Sequence, residues 1–392
     1  MAASLVHCGA FDTAETTNAP DASPSEGGVS DANLPIGDGG ADAPSNGDGG
    51  PSACVDPVAP THPCFEGSGS CDGDLVAVNS LSGPAPDGGT LTLGYPHGLA
   101  LDGGATYFAA LVDAALARDG AGLGFVFRWD GTKVERLTAA LDSPGFLAAR
   151  DGYLYYRNRK NATDWVVERL KLPVAACEGS ACPAPEIVAL VSGAPISRVH
   201  PVTPSLLLFR VGDTRLFRSV PPVGGAQWAT TDISPGTPMP PSTLSTGPRA
   251  FWGVDSALWK VDASASAYFV GGVAPGAPKA KLVTSTCDAV YVYDDALTTK
   301  PLHSATSGGY KEVDCGGAVC AVTLSFDLAA DAKFVYVARP NNQGLQAIPR
   351  GGGPPVRINS GADAWDVAVD DDYVLLTDLN GKAVRRIRKR PK

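Results

Sequence analysis

Residues Trp365–Lys389 read WDVAVDDDYVLLTDLNGKAVRRIRK. Val367 and Val369 alternate with smaller or polar neighbours, the period-2 pattern of a strand. Asp370-Asp371-Asp372 interrupts the run, and Tyr373–Thr377 is a second β-rich stretch. Asn380-Gly381 predicts a tight hairpin, because both residue types accept positive φ. Val384 and Ile387 then lie in a third extended run. Three short antiparallel strands in succession make most of one four-stranded unit.

The same unit recurs upstream. Gly98-Leu-Ala-Leu-Asp102 breaks at Gly103-Gly104 and resumes at Tyr107-Phe108; Phe125–Trp129 turns at Asp130-Gly131. Phe146–Arg150, Asp151-Gly152, Tyr153–Tyr156 and Trp165–Leu172 repeat the order, as do runs around Leu206–Phe209, Phe251-Trp252, Ala289–Tyr293 and Phe334–Val337. The period is roughly 35–52 residues, the length of one propeller blade. The sequence therefore predicts an all-β fold, a β-propeller of seven four-stranded blades, with six or eight also compatible with the spacing. The last unit lacks a fourth strand, while Leu75–Asn79 and Thr90–Leu93 are spare early strands. One of them completing the last blade would close the ring and leave only short, protected edges.

Composition agrees with many short strands joined by tight turns: Gly 46 and Pro 33, with charged residues at 18%. No run of about 18 apolar residues encodes a membrane-spanning helix. The net charge is −10, yet residues 1–117 carry 15 acidic residues and no Lys or Arg; without those 15 the remainder is at +5. The acidity belongs to the front of the chain and says little about a partner of the body. Of nine Cys, Cys8 stands alone. Cys54, Cys64, Cys71, Cys177, Cys182, Cys287, Cys315 and Cys320 are an even set, enough for four disulfides. No C-x-x-C pair points to zinc, and an oxidising compartment follows. Cys54, Cys64 and Cys71 cannot all pair among themselves, and Cys287 is an available partner for the odd one. Eight Cys leave 105 pairings open.

Three segments emerge. Residues 1–53 are a leader and an acidic Gly/Pro/Ser/Asp linker that cannot bury enough apolar surface to order itself. Residues 54–74 are a Cys-rich lead-in, and 75–392 the propeller. Leu5-Val6-His7-Cys8-Gly9 resembles the cleavage region of a bacterial lipoprotein signal, with His7 departing from the small residue expected before the lipidated Cys. That resemblance implies a truncated signal, lipidation at Cys8, and a periplasmic, outer-membrane or cell-surface location. Joined to such repeats, the leader resembles envelope lipoproteins of the myxobacterial type. The repeats themselves resemble the NHL and YWTD-type propellers at Tyr153-Leu-Tyr-Tyr156 after Asp151, at Phe334-Val-Tyr-Val337 after Ala329-Ala-Asp331, and at Trp365–Asp370 before Tyr373. Leu375-Leu-Thr-Asp378 is the nearest approach to the YWTD tetrad, and its departure from it puts that family's calcium and receptor roles in doubt.

Among chemical groups, His97 in Tyr95-Pro-His-Gly98 stands at the entry to an inner strand. In propeller lactonases and lyases such positions supply His and acidic residues to a central site, so His97 is a candidate base or ligand. A turn histidine before Gly98 is the competing reading. His200 and His303 have no acidic partner nearby in sequence. Asp370, Asp371 and Asp372 offer hard oxygen donors for calcium, although Asp is common in turns for conformational reasons. The basic run Arg385–Lys392 is either a dock for anionic polymers or a solvated end. No P-loop, dinucleotide fingerprint, nucleophile elbow or HExxH occurs, so no cofactor is implied, and nothing points to nucleic acid. The function expected is a monomeric, non-catalytic envelope module that binds a protein, peptide or glycan. The alternative is a lactonase- or lyase-like propeller with a His/acid or metal site at the central channel.

Overall fold

The computed structural model describes residues 54–67, 71, 73–112, 122–212, 215–222, 227–234, 242–254, 257–261, 267–271, 281–294, 302–306, 309–316, 326–359 and 361–391. They belong to the unit Ala53–Lys392. The lipidation candidate Cys8 and the linker lie outside the described residues.

The fold is an all-β propeller, built of antiparallel sheets in which consecutive strands pair, apart from Gly73–Ala77, which joins the last sheet, and Val134–Arg136, which lies off the main path of the eight-stranded one. There are five four-stranded sheets, one eight-stranded sheet and a separate two-stranded hairpin among the described residues. The opening stretch forms Ala364–Val369, Tyr373–Asp378 and Ala383–Arg388. Its fourth strand is Gly73–Ala77, which pairs with Ala383–Arg388 in the register Gly73↔Ile387 to Ala77↔Ala383. Thr90–Thr92 instead pairs with Ser82–Pro84. First strands of successive sheets touch one another, and Ala364–Val369 also touches Tyr95–Asp102.

Why these strands read as nearly continuous apolar runs is visible in Tyr373–Asp378. Side chains of a strand alternate between the two faces of its sheet. Val374 and Leu376 pack with Phe334, Tyr336 and Leu345 of the preceding sheet. Leu375 packs with Leu99, Phe108 and Phe125 of the first. Each sheet is thus covered on both faces by its neighbours, so both parities must be apolar.

The Asn380-Gly381 turn exists, but not in the form expected. Positive φ falls on Lys382 (47°), not on Asn380 or Gly381. Asp378 pairs with Ala383, leaving a four-residue loop. Within it the Asp378 carboxylate accepts the Gly381 amide at 2.9 Å and the Lys382 amide donates to the Leu379 carbonyl at 3.2 Å. The longer loop, stabilised by the carboxylate, displaces the two-residue turn.

Three charges of the basic end are held within the fold, while Arg390 is exposed and Lys392 lies outside the described residues. Arg385 pairs with Asp378 at 2.8 Å. Arg386 pairs with Asp74 at 3.0 Å and lies between the rings of Trp129 and Tyr373. Lys389 is fully buried against Asp331 at 2.8 Å.

The lead-in runs across the turns of three sheets. Cys54 is bonded to Cys287, and Asp56 accepts the Cys287 amide at 2.6 Å. The Pro57 carbonyl accepts from Ala332, and the Val58 amide donates to Asp371 at 2.8 Å. Thr61 and His62 donate to the Lys389 carbonyl, and Phe65 enters the core beside Phe334 and Tyr336. Cys64–Cys71 and Cys177–Cys182 are the short bridges. Cys315 is disulfide-bonded, and Cys320 lies outside the described residues. No helix among the described residues is long and apolar enough to cross a membrane.

Candidate functional site

The first strands of the sheets bring together groups that are far apart in sequence. His97 sits near the start of Tyr95–Asp102. Its ring meets Phe146 of Leu141–Arg150 edge-on, with centroids 5.4 Å apart. That approach depends on Gly145, where an added Cβ would stand 2.5 Å from His97 Cδ2. Gly98, at φ 75°, is equally restricted, since its Cβ would meet the Phe146 amide nitrogen at 2.8 Å. Phe146 itself adopts φ 48°. A bulky residue in the left-handed region is strained, and such strain gathers at functional sites. Register shifts on either side of Gly145 make the local distortion.

Phe146 is also the platform for two cations. The Arg157 guanidinium lies 4.6 Å from its centroid and that of Arg198 6.0 Å away. Arg157 is buried and donates to the Ser143 and Ile196 carbonyls. Arg198 and His200 are two residues apart on Ile196–Thr203 and so share a face. Arg198 reaches Asp327, just before Leu328–Ala330, with Nη1 2.9 Å from Oδ1. Oδ1 thus faces the guanidinium, and Arg198 opposes the effect of burial on this carboxyl. Asp327 Oδ2 accepts the Val367 amide at 3.2 Å, and Asp366 Oδ2 accepts the Gly98 amide at 2.9 Å. Each carboxylate thereby joins its own strand to the first strand of the next sheet. The circuit runs from His97 through Phe146, Arg198, Asp327 and Asp366 back to Gly98.

The electrostatics follow from burial and charge. Burial, with Arg157 and Arg198 adding, pushes His97 down to about 3. Burial and Arg150 push His200 down to about 4, against the pull of the Ser245 carbonyl. Both imidazoles are neutral at physiological pH. Asp327 and Asp366 are raised above the ordinary carboxylate range, first by burial, with Arg198 opposing in both. Asp366 is half-buried. His97 Nε2 and His200 Nε2 are buried without a hydrogen-bond partner.

Phe326 and Trp365 precede the two aspartates and stack on each other, centroids 3.9 Å apart and planes 9° apart. Phe326 remains 37% exposed. On another side of His200, the turn after Ser242–Leu244 ties strands together. Ser245 O accepts from His200 Nδ1 at 2.9 Å, and Thr246 Oγ1 donates to the Leu328 carbonyl at 2.5 Å. Arg150 bridges the Pro201 and Pro248 carbonyls.

Of the residues singled out from sequence, His97 is drawn into this cluster, and His200 joins it through Arg198. His303 lies on the third strand of another sheet, Leu302–Thr306. Asp370, Asp371 and Asp372 do not act as a set. Asp370 accepts the Asp372 and Tyr373 amides in a turn, Asp371 holds Val58, and the Asp372 carbonyl accepts from Lys389. Among the described residues no group of three or more His, Cys, Asp or Glu is placed to hold a metal ion.

Arg198, Asp327 and Asp366 were not singled out by sequence reasoning. A signal for the aspartates existed: His97-Gly-Leu-Ala-Leu-Asp102, Phe326-Asp-Leu-Ala-Ala-Asp331 and Trp365-Asp-Val-Ala-Val-Asp370 align without gaps. The alignment puts Gly98, Asp327 and Asp366 at one position. Nothing local marks Arg198.

No protein-family model matches the chain, and no curated protein matches it. Solved structures do. Virginiamycin B lyase from Staphylococcus aureus superposes with TM-score 0.57 at 11% identity, covering 81% of this chain and 99% of that one. A catalytically inactive histidine-to-alanine variant of that lyase with quinupristin gives 0.50 at 11%, covering 81% and 99%. YCF48 bound to D1 peptide gives 0.52 at 9%, covering 85% and 98%. At such identities the likeness establishes the fold alone, a β-propeller.

Proposed function

We propose that this chain is an exported, envelope-associated propeller that binds the end of a protein, peptide or glycan at the axis, without catalysing its conversion. The observation that carries the reading is the convergence of His97, Arg198, Asp327 and Asp366 from four first strands, with polar atoms left unengaged among them. Convergence of polar groups from several strands is one mark of a binding centre.

Several finer features belong to the same reading. The ring has seven blades, the eight-stranded sheet dividing into units that begin at Tyr95–Asp102 and Leu141–Arg150. Gly73–Ala77 completes the last blade, supported by its five-residue register with Ala383–Arg388. Residues 1–53 tether, 54–74 lead in, and 75–392 form the ring. The disulfides suit an oxidising location, and Cys8 is the proposed lipid attachment. The body works as a monomer.

Binding is favoured over acid–base chemistry because His97, protonating only at about 3, is a weak base near neutrality. A second reading has its own support: Asp327 and Asp366 are carboxyls raised by burial, suited to proton transfer in a lactonase- or lyase-like reaction. The test is to probe peptide and glycan arrays with the wild type, Arg198→Ala and Trp365→Ala, each first shown to be folded by circular dichroism. Loss of the same ligands in both variants supports the axial site. Unchanged binding in both moves the site elsewhere. Turnover of an array member, read by mass spectrometry and abolished in Asp366→Asn, favours the enzyme.

A further inference from the structure

The strand Leu141–Arg150 is joined to its own sheet in pieces. It pairs with Tyr153–Arg159 at Asp142, at Gly145 and from Ala148 to Arg150, with register shifts between these points. Ser143 and Phe146, in the gaps, adopt positive φ of 57° and 48°. A non-glycine residue in that region carries strain that its surroundings must hold. Here side chains hold it. Arg157 donates to the Ser143 carbonyl and lies over the Phe146 ring, and His97 meets the same ring edge-on.

A buried imidazole flanks this strand on each side. His97 is on Tyr95–Asp102 and His200 on Ile196–Thr203, and both strands pack against Leu141–Arg150. A Cβ added at Gly145 would stand 2.8 Å from His97 Nε2 and 3.4 Å from Arg157 Nη2, so ring and guanidinium crowd one side of Gly145. On the other flank, Arg150 donates to the carbonyl of Pro201, next to His200. An imidazolium needs an acceptor for both of its N–H groups. Nε2 is buried without a partner on both rings, so a protonated ring would carry an unpaired N–H beside an arginine.

The charges facing His97 are Arg157 and Arg198, and those facing His200 are Arg150 and Arg198. Asp366 holds the Gly98 amide next to His97, and Asp327 is paired with Arg198. Other charges on the strands packed against these two pair elsewhere: Asp142 with Arg159, Asp378 with Arg385, Glu168 with Lys160, Arg169 with Glu186, and both Arg386 and Arg388 with Asp74. Arg210 donates to Ser197. Tyr107, Tyr155 and Tyr156 are raised by burial and stay uncharged in acid.

Exposure to water would return each imidazole to its ordinary value of 6.5, against about 3 for His97 and about 4 for His200 in the closed form. The open form takes up protons first, so opening is favoured as pH falls below 6.5. Each histidine raises the opening constant by up to about tenfold per pH unit. Asp327 and Asp366 act the other way, because burial makes the closed form hold their protons more tightly. Their opposition is felt only where carboxyls titrate, and once Asp327 takes a proton Arg198 loses its counter-charge.

We infer that Leu141–Arg150 is an acid-released strand: as the two flanking imidazoles take up protons, its Ser143–Leu147 stretch leaves the axis and the candidate site around Phe146 disperses, while the strands away from the axis stay paired. The opening stands on this geometry alone. Its consequence, release of a ligand in acid, rests on the axial-binding reading.

The test is hydrogen exchange of the full chain, read by mass spectrometry between about pH 7 and 5 and corrected for the intrinsic pH dependence of exchange. Peptides from Leu141–Arg150 should lose protection as pH falls, by about tenfold or more per unit beyond any loss in the double variant His97→Gln, His200→Gln. Peptides from Phe334–Arg339 should keep theirs. Equal loss in wild type and double variant overturns the inference. Parallel loss from both regions is global unfolding and overturns it too. Imidazole chemical shifts give a check that needs no variant: at least two of the five histidines should stay neutral down to about pH 5, and fewer than two overturns the inference. Peptide and glycan arrays probed at about pH 7 and 5 separate the two claims. If the strand opens while array ligands stay bound, the opening stands and the axial reading falls.

Discussion

Replacing Cys54 and Cys287 together by Ser opens a loop of 233 residues. The bridge acts chiefly by restricting the unfolded chain, and the cost of losing it grows with the logarithm of loop length. For a loop of this length the chain-entropy relation gives about 5 kcal/mol. Residual compactness of the denatured chain trims this to about 3–5 kcal/mol. A unit the size of Ala53–Lys392 unfolds with an entropy of roughly 0.7 kcal/mol/K, so the midpoint should fall by about 4–7 °C. The assay is thermal unfolding followed by far-UV circular dichroism at one scan rate. An internal comparison sharpens it. Cys177 and Cys182 close a loop of only 5 residues, for which the same relation gives about 2 kcal/mol, or about 3 °C. Should the short-loop double variant lose as much as the long-loop one, the entropic account is wrong. A shift under about 2 °C for the long loop, with faster amide exchange confined to residues 54–62, would mean that the bridge pins the lead-in and does not hold the ring.

Two other perturbations probe buried charge. Lys389→Met leaves Asp331 buried beside the Tyr336 hydroxyl without its cation, and should cost about 3–5 kcal/mol in urea unfolding. Adding Asp331→Asn should recover most of that, and no recovery would show that the loss is one of packing. For His97, the unfolded imidazole titrates near 6.5 and the folded one at about 3. The unfolded chain takes up the proton first, so the stability from a neutral His97 is whole above pH 6.5 and is lost as pH falls toward 3. Between about pH 6 and 4 the wild type should therefore lose stability relative to His97→Gln by up to about 1.4 kcal/mol per pH unit. Parallel pH profiles for the two proteins would show that His97 is not held neutral.

The sheet-rich architecture could be read from the sequence because its causes are local. Alternating apolar residues, Gly and Asp at turns, and runs such as Tyr373–Thr377 state their own conformation. That each sheet is covered on both faces was not read from the sequence and came from the packing of neighbouring sheets. The Asn380-Gly381 turn was legible as a turn but not in type, because the Asp378 carboxylate and the Asp378↔Ala383 pairing selected the longer loop. Cysteine counting left the partner of Cys54 open, and proximity of the lead-in to the Cys287 turn decided it.

The candidate site was legible only in fragments. His97 stood out by residue type, and the aligned hexads held Asp327 and Asp366 in plain view. Arg198 carries no local mark, because its role depends on a carboxylate 129 positions along the chain, brought to 2.9 Å by the folded ring. The same is true of the C-terminal basic run. Its charges look like a surface from the sequence, whereas Lys389 is buried against Asp331 of the neighbouring sheet and Arg386 against Asp74 of the strand that pairs with its own. Local backbone preference fixes strands and turns residue by residue. The partners of a charge and the members of a central cluster are set by which strands the ring brings side by side, and only the tertiary structure determines that.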